Sequence, residues 1–93
     1  MGLALIQLGR DAEAIAVTRR AVQHNPNIAA SWRTLTAALA LSGRLDEARY
    51  SLSRVLELDP TCAINAMRVR VGYSDKAGAR IFQGWRDAGM PES

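Results

Sequence analysis

Gly9-Arg10-Asp11-Ala12-Glu13-Ala14 and Gly43-Arg44-Leu45-Asp46-Glu47-Ala48 are the two stretches on which the fold turns. Laid over one another they match at Gly9 and Gly43, Arg10 and Arg44, Glu13 and Glu47, and Ala14 and Ala48. Downstream, Arg20 matches Arg54 and Pro26 matches Pro60, at the same 34-residue offset. A period shared by a glycine, a small residue and a proline marks an internal structural repeat. Each marker has a physical task. Gly9 and Gly43 end an apolar helical pattern, where a left-handed backbone is wanted. Ala14 and Ala48 fall in the first turn of the next helix, where two helices cross closely. Pro26 and Pro60 stop that helix and redirect the chain.

Between the markers the apolar spacing is helical. Ile28, Trp32, Leu35 and Leu39 form one stripe; Leu45, Ala48, Leu52, Val55 and Leu56 form the facing one. Trp32 is expected between Ala48 and Leu52. Asn27 is expected to cap the first helix, and Asp46 and Glu47 to suit the positive end of the second. One complete helix–turn–helix unit spans residues 27–60. Residues 1–26 supply the back half of a first helix (Met1–Leu8) and a full second one (Asp11–His24). Met1 is therefore expected to be an internal residue, or an artificial boundary, of a longer array.

After Pro60 the period fails, and Ala77 stands where a glycine is due. Residues 61–93 still read as a helix pair. Thr61 caps a helix to about Val71 with Ile64 and Met67 on one face, and Gly72-Tyr73-Ser74-Asp75 makes a turn. A last helix lined by Ile81, Trp85 and Ala88 is closed by Gly89 and Pro91. About six helical segments and no strand are expected. Such an atypical pair suits the covering of an array's last face.

Trp32, Leu35, Leu39, Gly43, Ala48, Leu52, Val55 and Pro60 resemble a tetratricopeptide repeat read in order, with Leu39 where the pattern has tyrosine and Leu52 where it has phenylalanine. Thr36 departs from that pattern, which has glycine there. The resemblance covers about 60 residues and implies an all-α solenoid of antiparallel helix pairs. It also implies a concave groove lined by Ala30, Arg33, Thr34, Ala37 and Leu41, suited to a protein or peptide partner. Ala37→Ser is accordingly expected to be tolerated, and Ala48→Leu to overfill a helix crossing. The groove is mainly apolar, with Arg33 and Arg68 its only cations at the right phase, so clamping of a peptide carboxylate is not expected. The tail from Arg68 to Ser93, with Gly72-Tyr73-Ser74-Asp75 and Gly84-Trp85-Arg86-Asp87-Ala88-Gly89, resembles the end of large bacterial signalling proteins. In those, repeats follow a class III adenylyl or guanylyl cyclase domain or a winged-helix regulator domain. That resemblance implies a scaffolding or regulatory segment. The alternative is a structural end-piece that only associates with itself.

Composition agrees with a helical interaction module. Hydrophobic residues make up 48% and aromatics 5%, while alanine recurs sixteen times, which favours closely packed helices over a disordered tail. The net charge is +3, and eleven of the twelve basic residues are arginine. They are dispersed among acids, which argues against a nucleic-acid surface. A single cysteine, Cys62, cannot form an internal disulfide and fits a reducing, cytoplasmic setting. Nothing reaches the length of a membrane span. The lone His24 lies near a helix end without a second metal ligand, and Cys62 reads as a small buried residue. Asp11, Glu13, Asp46 and Glu47 repeat in phase as helix-start charges. No catalytic, cofactor or metal site is read from the chain. With Leu3, Leu5, Ile6 and Leu8 unpartnered, and Leu35–Leu41 apolar almost all round, a homodimer is expected.

Overall fold

A computed structural model describes residues 9–64, 66 and 76–92, with side chains of the last segment from Arg80 onward. The described residues are all helical in architecture, without a strand. Four helices are defined: α1 (Asp11–His24), α2 (Ala29–Leu41), α3 (Leu45–Leu58) and α4 (Lys76–Ala88). The helices expected over Met1–Leu8 and from Thr61 to Val71, with the turn at Gly72–Asp75, lie wholly or mostly outside the described residues. Of them, Ile64 and Ala66 have helical backbone.

The sequence period recurs as backbone geometry. Gly9 has φ +78° and Gly43 φ +80°, in the region where a side chain would be strained. Arg10 (φ −95°, ψ 63°) and Arg44 (φ −89°, ψ 64°) then open α1 and α3, each 14 residues long. Their carbonyls accept the amides of Ala14 and Ala48 at 3.0 and 2.9 Å. Glu13 and Glu47 sit in the two first turns, 3.9 and 3.8 Å from Arg10 and Arg44. The helices also end alike. Asn25 and Asp59 are the C-caps, and their side chains accept the amides of Asn27 and Thr61 at 3.2 and 3.3 Å. Pro26 and Pro60 sit inside these small side-chain turns, as residues that need no amide partner.

Asn27 does not cap α2. Ile28 holds the N-cap position without a side-chain bond, and the asparagine that organises this corner is Asn25, two residues earlier. The helix begins one residue later than the sequence suggests, so Asn27 stands ahead of the N-cap position and its own amide donates to Asn25. At its other end α2 closes in a Schellman turn: Arg44 N–H donates to Leu39 O at 2.9 Å and Gly43 N–H to Ala40 O at 3.0 Å.

α2 is the centre of the molecule. α1 and α3 pack on one side of it and α4 on another, and α4 touches α3 more lightly. Thr34 through Ala40 are buried without a break, as a helix enclosed on several sides requires. Two hydroxyls in this stretch are satisfied within the helix: Thr36 donates to Trp32 O at 2.8 Å and Thr34 to Ala30 O at 3.1 Å. Ala14, Ala37, Ala38 and Ala48 are fully buried, so the crossings are made by small residues. Trp32 is buried, with its ring edge-on to Tyr50 at 6.2 Å and the Arg54 guanidinium 5.7 Å from the ring centroid. Its indole N–H donates to Pro26 O at 2.8 Å, which turns the ring toward the start of the unit. Leu52 also reaches toward Gly89 at the end of α4.

Candidate functional site

The predicted groove lies on α2, and its floor is determined by what covers it. Ala30 is exposed and Arg33 half-buried; Thr34 and Ala37 are buried, and Leu41 is partly buried. The cover is α4. A Cβ placed on Gly84 would stand 3.0 Å from the carbonyl oxygen of Ala37 and 3.2 Å from Leu41 Cγ. Glycine is thus what lets the two helices approach backbone to backbone. One residue on, the Trp85 indole N–H donates to Arg33 O at 2.8 Å, and its ring is 2% exposed. Phe82 meets that ring edge-on at 5.3 Å. Ala37 therefore does not face water, and Ala37→Ser is not the mild change its repeat phase suggests. An added hydroxyl would press on α4, and the carbonyl it would turn to, Arg33 O, already accepts Trp85. The Leu35–Leu41 surface expected to drive self-association is enclosed within the chain, while Leu3, Leu5, Ile6 and Leu8 lie outside the described residues.

A second set of contacts fixes α4 across the repeats. Arg80 makes a two-bonded ion pair with Asp11 at the start of α1, at 3.0 and 2.7 Å. The Asp11 hydrogen bond raises the Arg80 pKa; partial burial works against this and is outweighed. The position matching Asp11 in the next unit is Leu45, so this ion pair has no counterpart there. The chain after α4 is also held: Gly89 (φ +103°) ends the helix in a Schellman turn, and Ile64 N–H donates to Pro91 O at 2.8 Å.

On the opposite side a cleft of about 470 Å³ opens between α1 and α3, with α2 as its floor. Val22, Trp32, Leu35 and Leu39 line it, and Arg19 and Glu47 close across its rim at 2.8 Å. Sequence reading placed Trp32 and Leu35 only in the core and passed over Arg19. The available signal was the phase of Glu47, a repeated acid facing the previous unit's second helix. Of the other residues singled out, Trp32, Leu35, Ala14 and Ala48 are buried, Gly9 and Gly43 have positive φ, and Pro26 and Pro60 lie in turns.

Most of the described arginines are engaged with acids. Arg10, Arg19, Arg33, Arg44, Arg49, Arg54, Arg80 and Arg86 each lie within 3.9 Å of a carboxylate. Arg33, the one described cation of the groove, faces Asp59 at 3.9 Å in a half-buried pair. Cys62 is 1% exposed, and His24 is the exposed last residue of α1. Among the described residues no three His, Cys, Asp or Glu side chains are grouped to hold a metal, and no helix is long and apolar enough to cross a membrane. Comparison with family models, curated proteins and solved structures returns no match to this chain.

Proposed function

We propose that the chain is a segment of a tetratricopeptide-type α-solenoid and acts as a protein–protein interaction module. The observation that carries this is the coincidence of sequence and backbone periods: Gly9 and Gly43, the openings at Arg10 and Arg44, and the side-chain turns at Asn25 and Asp59 repeat angle for angle. A unit that recurs with its turns intact is built to stack, and stacked helix pairs present long surfaces to partners. The dispersal of the arginines among acidic residues favours a protein partner over nucleic acid, since no continuous basic stripe is formed to follow a phosphate backbone. The resemblance of residues 68–93 to the ends of bacterial cyclases and winged-helix regulators supports a place in a signalling protein, in the reducing cytoplasm that a lone cysteine suits.

Register provides the test of architecture. A copy of Asn27–Thr34 fused ahead of Met1 completes the first helix of the upstream unit in phase. Nearest-neighbour coupling then raises the melting temperature. The same eight residues in scrambled order should not raise it. An equal response to both insertions would retire the solenoid reading. For function, selection of displayed peptides against the folded chain is expected to enrich sequences whose binding is lost when Ala30, the exposed end of the groove, is replaced by tryptophan.

A further inference from the structure

Four polar side chains are buried among the described residues: Thr18, Thr34, Thr36 and Ser51. The three threonines each donate to a carbonyl one turn back in their own helix. Ser51, in α3 and 2% exposed, has no hydrogen-bond partner among the described residues. A hydroxyl shut away unpaired is costly, and no described side chain carries a sealed polar atom without a partner. The Ser51 hydroxyl therefore meets an opening, and the opening that Ser51 lines is the cleft between α1 and α3.

That cleft is apolar below and charge-paired above. α1 and α3 both pack on α2 but not on each other, which leaves Val22, Trp32, Leu35 and Leu39 lining the gap. Of the charged side chains at its rim, Arg19 pairs with Glu47 at 2.8 Å and Asp46 with Arg49 at 3.5 Å. An ionic ligand would have to displace one of these pairs or give up its own hydration to the apolar floor. Trp32 supplies an aromatic wall, with Tyr50 edge-on beside it. A cavity of ~150 Å³ encloses benzene. At about 470 Å³ the cleft has room for a fused two-ring molecule and its substituent.

We propose that this cleft is a binding site for an uncharged aromatic small molecule of two fused rings carrying a hydroxyl group. The rings lie against Trp32, Leu35 and Leu39, and the ligand hydroxyl exchanges a hydrogen bond with Ser51 Oγ, which can donate or accept. Ser51 sets the selectivity, since a buried polar group left unpaired counts against an analogue without the matching hydroxyl. The Arg19–Glu47 bridge spans the rim from α1 to α3, so a free molecule fits beneath it more readily than a side chain that must bring its backbone along. The site needs only α1 to α3 and stands apart from the reading of the chain as part of an array.

The test titrates the full 93-residue chain, isotope-labelled for nuclear magnetic resonance, with 2-naphthol, naphthalene and 2-naphthoate. 2-Naphthol is expected to shift the resonances of Val22, Leu35, Leu39 and Ser51 saturably, and 2-naphthoate to bind at least tenfold more weakly. Ser51→Ala removes the hydroxyl without adding bulk and favours a helix, so the variant should stay folded. It is expected to lower the ratio of 2-naphthol to naphthalene affinity about three- to tenfold, the worth of one neutral hydrogen bond. Ser53→Ala, two residues on, removes a hydroxyl that already donates to Tyr50 O and should leave both affinities unchanged. Shifts absent from the cleft or spread over the whole surface would overturn the inference. So would 2-naphthoate bound as tightly as 2-naphthol, or an affinity ratio that Ser51→Ala leaves as it was. Unfolding of Ser51→Ala, read by circular dichroism, would show the hydroxyl to be structural and overturn it too. A cleft that responds to an Ala-Ala-Tyr-Ala-Ala peptide and not to 2-naphthol would overturn it in favour of a partner protein's side chain.

Discussion

α2 has two packed sides, and they were built by different rules. Toward α1 and α3 it meets helices that follow the 34-residue period, start at the same backbone angles and bury alanines at matching places. Toward α4 it meets a helix outside the period, through Gly84 and Trp85, while the Arg80–Asp11 pair ties that helix to α1. The first side rests on two helices with matched starts and on the buried Trp32, and the second on one helix pressed close at Gly84. That contrast predicts that damage on the repeat side lowers the stability of the whole unit, whereas damage on the α4 side first loosens α4.

The largest effect should come from Trp32→Ala. It removes a buried ring, the indole bond to Pro26 O and the platform for Tyr50 and Arg54, and should cost about 3–5 kcal/mol in urea unfolding. A loss below about 1 kcal/mol would mean the cleft beside Trp32 can collapse around the gap, and that the repeat side is the softer one. Ala48→Leu and Gly84→Ala come next and should be compared directly. Each forces volume into a close crossing, at about 1–3 kcal/mol. Ala48→Leu should lower the whole melting transition. Gly84→Ala should speed hydrogen exchange in residues 76–92 well before it affects α1 to α3. Uniform acceleration in both variants would erase the distinction between the two sides.

Gly43→Ala isolates the repeat turn from packing. Nothing lies within 4 Å of the added methyl group, so the loss reports backbone strain alone, about 1–2 kcal/mol from the left-handed conformation. Gly9→Ala, at a matching angle, should show the same loss within a few tenths of a kcal/mol if the two units are energetically as well as geometrically alike.

How far the sequence could be read follows the same division. The glycine and proline turns were legible because they are set locally; the side-chain bonds of Asn25 and Asp59 inside them were not, and the capping role was given to Asn27 instead. Trp32, Leu35, Ala14 and Ala48 were legible as buried because the helical stripe shows them. The position of Ala37 was not. α2 is apolar on nearly every side, so its pattern says that it is enclosed without saying by what, and the answer lies at Gly84 and Trp85, 47 and 52 residues downstream of Ala37 and Arg33. Asp11 was read as a helix-start charge, which it is; its second task needs Arg80, 69 residues away. Long-range pairing of single residues leaves no periodic trace.

The smallest effect concerns two ion pairs, one on each side. Arg19–Glu47 bridges successive second helices across the cleft rim with both side chains about half exposed, at 42% and 51%. An exposed pair of this kind gains little over water, and its coupling should be about 0.2–1 kcal/mol in a double-mutant cycle, falling further in about 1 M salt, where screening acts within about 3 Å. Arg80–Asp11 has two parallel bonds and an aspartate only 16% exposed, so its coupling should be larger and less sensitive to salt. Neither pair recurs with the repeat. The position one period after Arg19 is Ser53, and the one after Glu47 is Ile81, so the rim bridge is not propagated along the chain. Both pairs are therefore local: the rim bridge joins α1 to α3, and the Asp11 pair joins α1 to α4, with leucine at the repeat-matched position 45. A cycle in which Arg19–Glu47 proved the stronger and more salt-resistant pair would invert the comparison: the stack would then be held by its specific contacts, and α4 by its generic ones.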